Sequence, residues 1–144
     1  MEAELLDTLH AEGVGCIAFS PLAQGLLTDK YLAGVPADAR INRPGGGSLK
    51  REHLSEANLV HVRALNDIAR ARGQTLAQMA VAWVLRHPQV TSALIGASRP
   101  EQIRELVAAT ETTTFTADEL RVIDEHAVDG GLNLWLKPST DQRP

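Results

Sequence analysis

Cysteine occurs once in this 144-residue chain, at Cys16. A single cysteine excludes an internal disulfide and any metal site built from several thiolates. It lies in the apolar run Val14-Gly-Cys-Ile-Ala-Phe19, where a buried packing thiol is expected rather than a nucleophile. Long hydrophobic runs are also lacking: Met79 to Leu85 falls far short of the roughly 20 residues that cross a bilayer. There is no excess of positive charge either. A net charge of −4 and a pI near 5.7 give no basic field for neutralising phosphates, so nucleic acid is not an expected partner. The first residues are acidic where a secretory signal is basic and then apolar, and the chain reads as cytoplasmic. The five histidines, at 10, 53, 61, 87 and 126, include no i, i+4 pair with an intervening Glu. They read as solvated or capping residues, with no metal site.

What the chain does have is 44% apolar residues, enough for the core of one domain. Glu4 to Glu12 carries Leu5, Leu6 and Leu9 at helical spacing and stops at Gly13, a residue suited to the left-handed turn past a helix end. Residues 14–20 form a short apolar run bounded by Gly and Pro, the pattern of a parallel strand buried on both faces. Residues 21–57 lack periodicity and contain Pro36, Pro44 and three consecutive glycines from Gly45, which predicts a long loop with one helical turn around Leu26 to Tyr31.

Residues 58–87 predict two helices. The first carries Leu59, Val62, Leu65, Ile68 and Ala69 and stops at Gly73; the second opens on a Thr75–Gln78 capping box and ends by Pro88. Met79 and Trp83 read as core residues. Residues 91–97 predict a second buried strand, and Ser98 with Glu101 a capping box for a helix over 98–110. Thr116 with Glu119 caps a last helix over 116–127, and 128–144 reads as an irregular tail. Strands alternating with helices imply an α/β fold with parallel strands. Two such strands leave open edges, so the chain needs a homo-oligomer, another chain or the remainder of a larger fold to cover them.

Two stretches carry a family resemblance. Ser20-Pro-Leu-Ala-Gln-Gly-Leu-Leu-Thr-Asp-Lys-Tyr31 resembles the loop after the seventh strand of aldo-keto reductase barrels, and Ile95-Gly-Ala-Ser-Arg-Pro-Glu-Gln-Ile-Arg-Glu105 resembles the end of their eighth strand and the next helix. The likeness extends through Gly73 to Trp83 and into Gly131-Leu-Asn-Leu-Trp135. Within the family it is most similar to bacterial reductases of L-glyceraldehyde 3-phosphate and methylglyoxal, with voltage-gated potassium channel beta subunits as relatives. The resemblance implies the C-terminal portion, strands 7 and 8, of a (β/α)8 barrel, incomplete on its own.

It also implies a cofactor, NADP(H), and a small aldehyde or ketone as substrate of the complete enzyme. Ser20, Leu22 and Gln24 match positions lining the nicotinamide and pyrophosphate, with Pro21 shaping the turn; Lys30 and Arg40 match basic residues over the pyrophosphate. Ser98, Arg99 and Gln102, with Gly96 and Glu105 in the same stretch, match the adenosine side. Their chemistry is apt. A helix start after a strand favours an anion, and a planar cation with an amide suits the 2′-phosphate that separates NADP from NAD. Two departures stand out. Leu106 replaces an Asn that commonly bonds the adenine, a loss of about 1 kcal/mol, and Asp29 replaces a frequent Gly.

The family protonates the substrate oxygen with a Tyr aided by Lys, His and Asp, all from the first half of the barrel. Tyr31, the sole tyrosine, does not occupy that motif, so no catalytic residue is expected in this chain, and alone it should be inactive. The alternative is a non-catalytic module binding a nucleotide or a protein, resembling the channel beta subunits.

Overall fold

A computed structural model describes residues 2–43 and 49–128. The glycines from Gly45, the Gly131 to Trp135 stretch and the expected tail past Val128 lie outside the described residues. The chain runs through helix α1 (Glu2–Ala11), strand β1 (Cys16–Phe19), helices α2 (Glu56–Ala71) and α3 (Leu76–Val84), strand β2 (Val90–Leu94), and helices α4 (Pro100–Val107) and α5 (Ala117–His126). Between β1 and α2 there are four 3₁₀ turns, at Ala23–Gly25, Asp29–Tyr31, Arg40–Asn42 and Arg51–Leu54, rather than the one turn expected. Each closes on local i to i+3 bonds, which leave no periodic pattern in a sequence.

The strands pair in parallel, Ile17 beside Ser92, Ala18 beside Ala93 and Phe19 beside Leu94. Register shifts by one residue at Cys16, which pairs with Val90 and leaves Thr91 unmatched. Thr91 compensates through its side chain: Oγ1 accepts the Cys16 N–H at 3.2 Å. This close approach needs Gly15, because a Cβ there would stand 2.8 Å from Thr91 Oγ1.

The strands are shorter than the apolar runs, and they are not buried on both faces. Ile17, Phe19 and Leu94 are 66%, 62% and 62% exposed, and Cys16 is only partly buried, so its thiol is not the enclosed packing group expected. The helices cover one face of a two-stranded sheet, while both-face burial needs layers on either side.

The helices form where propensity and caps agree. α2 starts at Ser55, whose Oγ accepts the Asn58 N–H, and ends before Gly73 at φ +70. α3 has the reciprocal Thr75–Gln78 box, and α5 the Thr116–Glu119 box. Val62, Leu65, Ala69, Leu76, Met79 and Ile123 make the main core, with Trp83 packed beside it. Among the described residues no helix is long and apolar enough to cross a membrane.

A polar cluster ties α2 to α5. The Arg72 side chain is 5% exposed and lies 3.8 Å over the Phe115 ring. Its Nη1 meets Glu119 Oε1 at 2.7 Å, its Nε donates to Gln74 Oε1 at 2.9 Å, and its Nη2 donates to the Thr114 carbonyl at 3.0 Å. Gln74 Nε2 donates onward to the Thr112 carbonyl. The Thr116 N–H donating to the Glu119 carboxylate, helped by Arg72 and opposed by desolvation, holds that carboxyl below its ordinary range. A folded pKa below the unfolded one gives stability that is present above about pH 4.5 and lost as pH falls through the folded value. Resistance to urea unfolding should therefore fall on acidification in the native chain, less so in Glu119→Gln, and Arg72→Ala should cost about 2–3 kcal/mol at pH 7.

Candidate functional site

Parallel strands leave a sheet at the same edge, so the segments after β1 and β2 start side by side: Ser20 follows Phe19, and Ile95 follows its neighbour Leu94. Most residues singled out by sequence lie on these two segments. Leu22 of the first and Ile95 of the second, together with Ala93 of β2, pack on the cluster of Ala77, Val81, Ala82, Leu106 and Ala109. One small apolar core thus anchors both segments.

The first segment is held in an unfavourable backbone shape. Ser20, Ala23 and Gln24 have φ of +54, +45 and +59, a left-handed region that costs L-residues roughly 1–2 kcal/mol each. Surrounding bonds enforce it. The turn across Pro21 closes with Ala23 N–H donating to the Ser20 carbonyl at 2.9 Å, and Leu27 N–H returns to the Leu22 carbonyl at 3.2 Å. Gln24 Oε1 accepts the Leu49 N–H, also at 3.2 Å, which pins the far end of the loop to its start. Strain of this kind gathers at ligand clamps. Sequence reading missed it because none of the three residues is a glycine.

Lys30 and Arg40 are both exposed. Lys30 Nζ lies 5.6 Å from the Tyr31 ring centroid. Tyr31 itself is buried in the main core; burial pushes its hydroxyl up, and the nearby Arg40 charge pulls it down. This tyrosine is a packing residue with the Lys30 cation beside its ring.

In the second segment α4 begins one residue later than expected. Arg99 is the N-cap and Pro100 the first helical residue, so Ser98 with Glu101 does not form the capping box. Gln102, at the third helical position, does the capping. Its Oε1 accepts from Ser98 N–H at 2.8 Å, Ser98 Oγ at 3.1 Å and Arg99 N–H at 3.2 Å. Pro100 explains the shift, since it lacks an N–H and favours the first helical position. The helix ends at Val107 and continues as a 3₁₀ turn, Ala108–Glu111.

Gly96 is exposed, and a Cβ there would meet nothing within 4 Å. Glu105 is turned toward α3 instead: its carboxylate accepts from Thr75 Oγ1 at 2.8 Å, and its carbonyl from Gln78 Nε2 at 3.0 Å. Leu106 is 5% exposed within the shared cluster, so this position serves packing here. A cleft lined by Phe115, Thr116 and Glu119 belongs to the Arg72 network, whose polar groups it shares. Among the described residues no group of three metal-ligating side chains gathers.

Residues 1–128 match the aldo/keto reductase family model. The chain belongs to that family. It is 56% identical over 137 residues to the L-glyceraldehyde 3-phosphate reductase of Escherichia coli (strain K12), covering 94% of this chain and 40% of that protein. It is 38% identical over 128 residues to a putative voltage-gated potassium channel subunit beta of Schizosaccharomyces pombe, and 38% over 112 residues to a probable one of Arabidopsis thaliana. These cover 86% and 77% of this chain, and 37% and 34% of those proteins. The chain therefore spans about two fifths of the length of such relatives. The family is one of NAD(P)H-dependent oxidoreductases built on a (β/α)8 barrel, and the α/β order and parallel pair of this member accord with that.

The geometry assigns Gln102 a measurable role in this member. Gln102→Ala should lower stability by about 0.5–1 kcal/mol and speed hydrogen exchange at the Ser98 and Arg99 amides, read by denaturation and by exchange of those two sites.

Proposed function

We propose that the complete protein reduces small aldehydes or ketones with NADPH, glyceraldehyde 3-phosphate or methylglyoxal being the substrate class, and that this chain supplies one wall of the cofactor cleft. In this reading β1 and β2 are strands 7 and 8 of the barrel, and the exposed face carrying Ile17, Phe19 and Leu94 packs against the rest of it. The observation that carries the reading is the convergence of three donors, from Ser98 and Arg99, on one oxygen at a helix start. Gln102 Oε1 occupies the position a phosphate oxygen would take, so the donor set fits an anion.

Each residue then has a task. Ser98 and Arg99 bind the 2′-phosphate, Arg99 by charge and planar donors, while Gln102 rotates to present its amide. Lys30, beside the Tyr31 ring, and Arg40 reach toward the pyrophosphate. The strained turn of Ser20, Pro21, Leu22 and Gln24 orients the nicotinamide, with its shape fixed before binding. Gly96 leaves open space for the cofactor, and Glu105 steadies α4 against α3. The bound nicotinamide supplies hydride. The proton for the substrate oxygen comes from a Tyr, Lys, His and Asp set outside this chain, which by itself is inactive.

Titrating the purified chain with NADPH and NADH, while circular dichroism confirms folding, tests the cofactor assignment. NADPH should bind more tightly, and Arg99→Ala should weaken it by about tenfold without affecting NADH. A folded chain that binds neither, or both equally, would overturn the assignment and favour a protein-binding module.

A further inference from the structure

His61, in the second turn of α2, and His126, the last residue of α5, face each other across the helix pair. Their Nδ1 atoms are 3.3 Å apart, both side chains are partly buried, and the rings are tilted by 54° with centroids 5.5 Å apart. Each ring therefore turns an edge, not a face, to the other. In this contact one Nδ1 carries the proton and the other accepts it. Two ligand nitrogens on a tetrahedral zinc ion, each at about 2.0–2.1 Å, are separated by about 3.3–3.4 Å. The two Nδ1 atoms thus already have the separation of a chelating pair, and a small rotation of both rings turns their lone pairs to a common point off the N···N line, where a metal replaces the shared proton.

The guanidinium groups closest in sequence, Arg63 on α2 and Arg121 on α5, are paired with Glu56 and with Glu125 at 2.7 Å. We infer that His61 and His126 form a two-imidazole site for a borderline divalent cation, Zn²⁺, Ni²⁺ or Cu²⁺, with water filling the remaining positions. Imidazole selects these ions over Mg²⁺, and Cu²⁺ should bind more tightly than Zn²⁺. Because the two ligands come from different helices, the ion links α5 to α2 and stabilises the folded chain.

Calorimetric titration of the metal-stripped 144-residue chain with Zn²⁺, Cu²⁺ and Mg²⁺ tests this. One Zn²⁺ should bind per chain, Mg²⁺ should not bind, and Zn²⁺ should raise Tm. His61→Gln and His126→Gln should each weaken Zn²⁺ by about tenfold or more, since even a group that only orients a ligand is worth that much. Should either variant fail to fold, the Cu²⁺ electron paramagnetic resonance spectrum of the unaltered chain decides, with coupling to two imidazole nitrogens expected. No saturable Zn²⁺ binding, unchanged affinity in both folded variants, or a spectrum with fewer than two imidazoles would overturn the site.

Discussion

Parallel pairing of Cys16–Phe19 with Val90–Leu94 is the constraint on which the functional reading depends, because it aligns two strand ends that lie more than seventy residues apart in sequence. Everything between them, a long loop and two helices, has to return the chain to that register. The return is enforced at one end by Gly15 and Thr91, where a missing Cβ lets a hydroxyl take over an N–H that the shifted ladder leaves unmatched. At the other end Leu22, Ala93 and Ile95 pack on one apolar cluster with Leu106. A strand pair of this length is marginal alone, so the helices that cover it are as necessary as the ladder itself.

The helical layer is held by different means. α2 and α3 join through apolar residues, whereas α2 and α5 add a buried guanidinium satisfied by a carboxylate, an amide, a carbonyl and a ring. Such a cluster stabilises only when every donor has a partner, and it fixes where the 112–116 segment lies. The sheet's other face remains exposed, with Ile17, Phe19 and Leu94 open to solvent. That asymmetry, together with coverage of about two fifths of its relatives, is why the proposed activity belongs to a larger barrel.

Much of this was legible in the sequence. The helices carry strong 3.6-residue patterns and Ser or Thr caps, and those signals are local, so α2, α3 and α5 were readable to within a few residues. Strand burial was not, because Ile17 and Phe19 look like core residues whether or not a second layer covers them. The start of α4 was misread since Ser98–Glu101 and Arg99–Gln102 both have capping spacing, and only Pro100 discriminates between them. Strain at Ser20, Ala23 and Gln24 leaves no mark on composition, and neither does the meeting of His61 with His126, 65 positions apart. The candidate site residues on the two loops were proposed through family resemblance; what the fold adds is their common edge and Gln102's hold on Ser98 and Arg99.

The central claim is that the two strand-end segments form one nucleotide-binding edge. The most direct measurement is amide chemical-shift mapping of the isotopically labelled chain during addition of NADPH. The account predicts that amides from Ser20 to Gly25 and from Gly96 to Arg99 shift together, along a single saturation curve. Shifts confined to one segment, or two segments saturating at different concentrations, would contradict it.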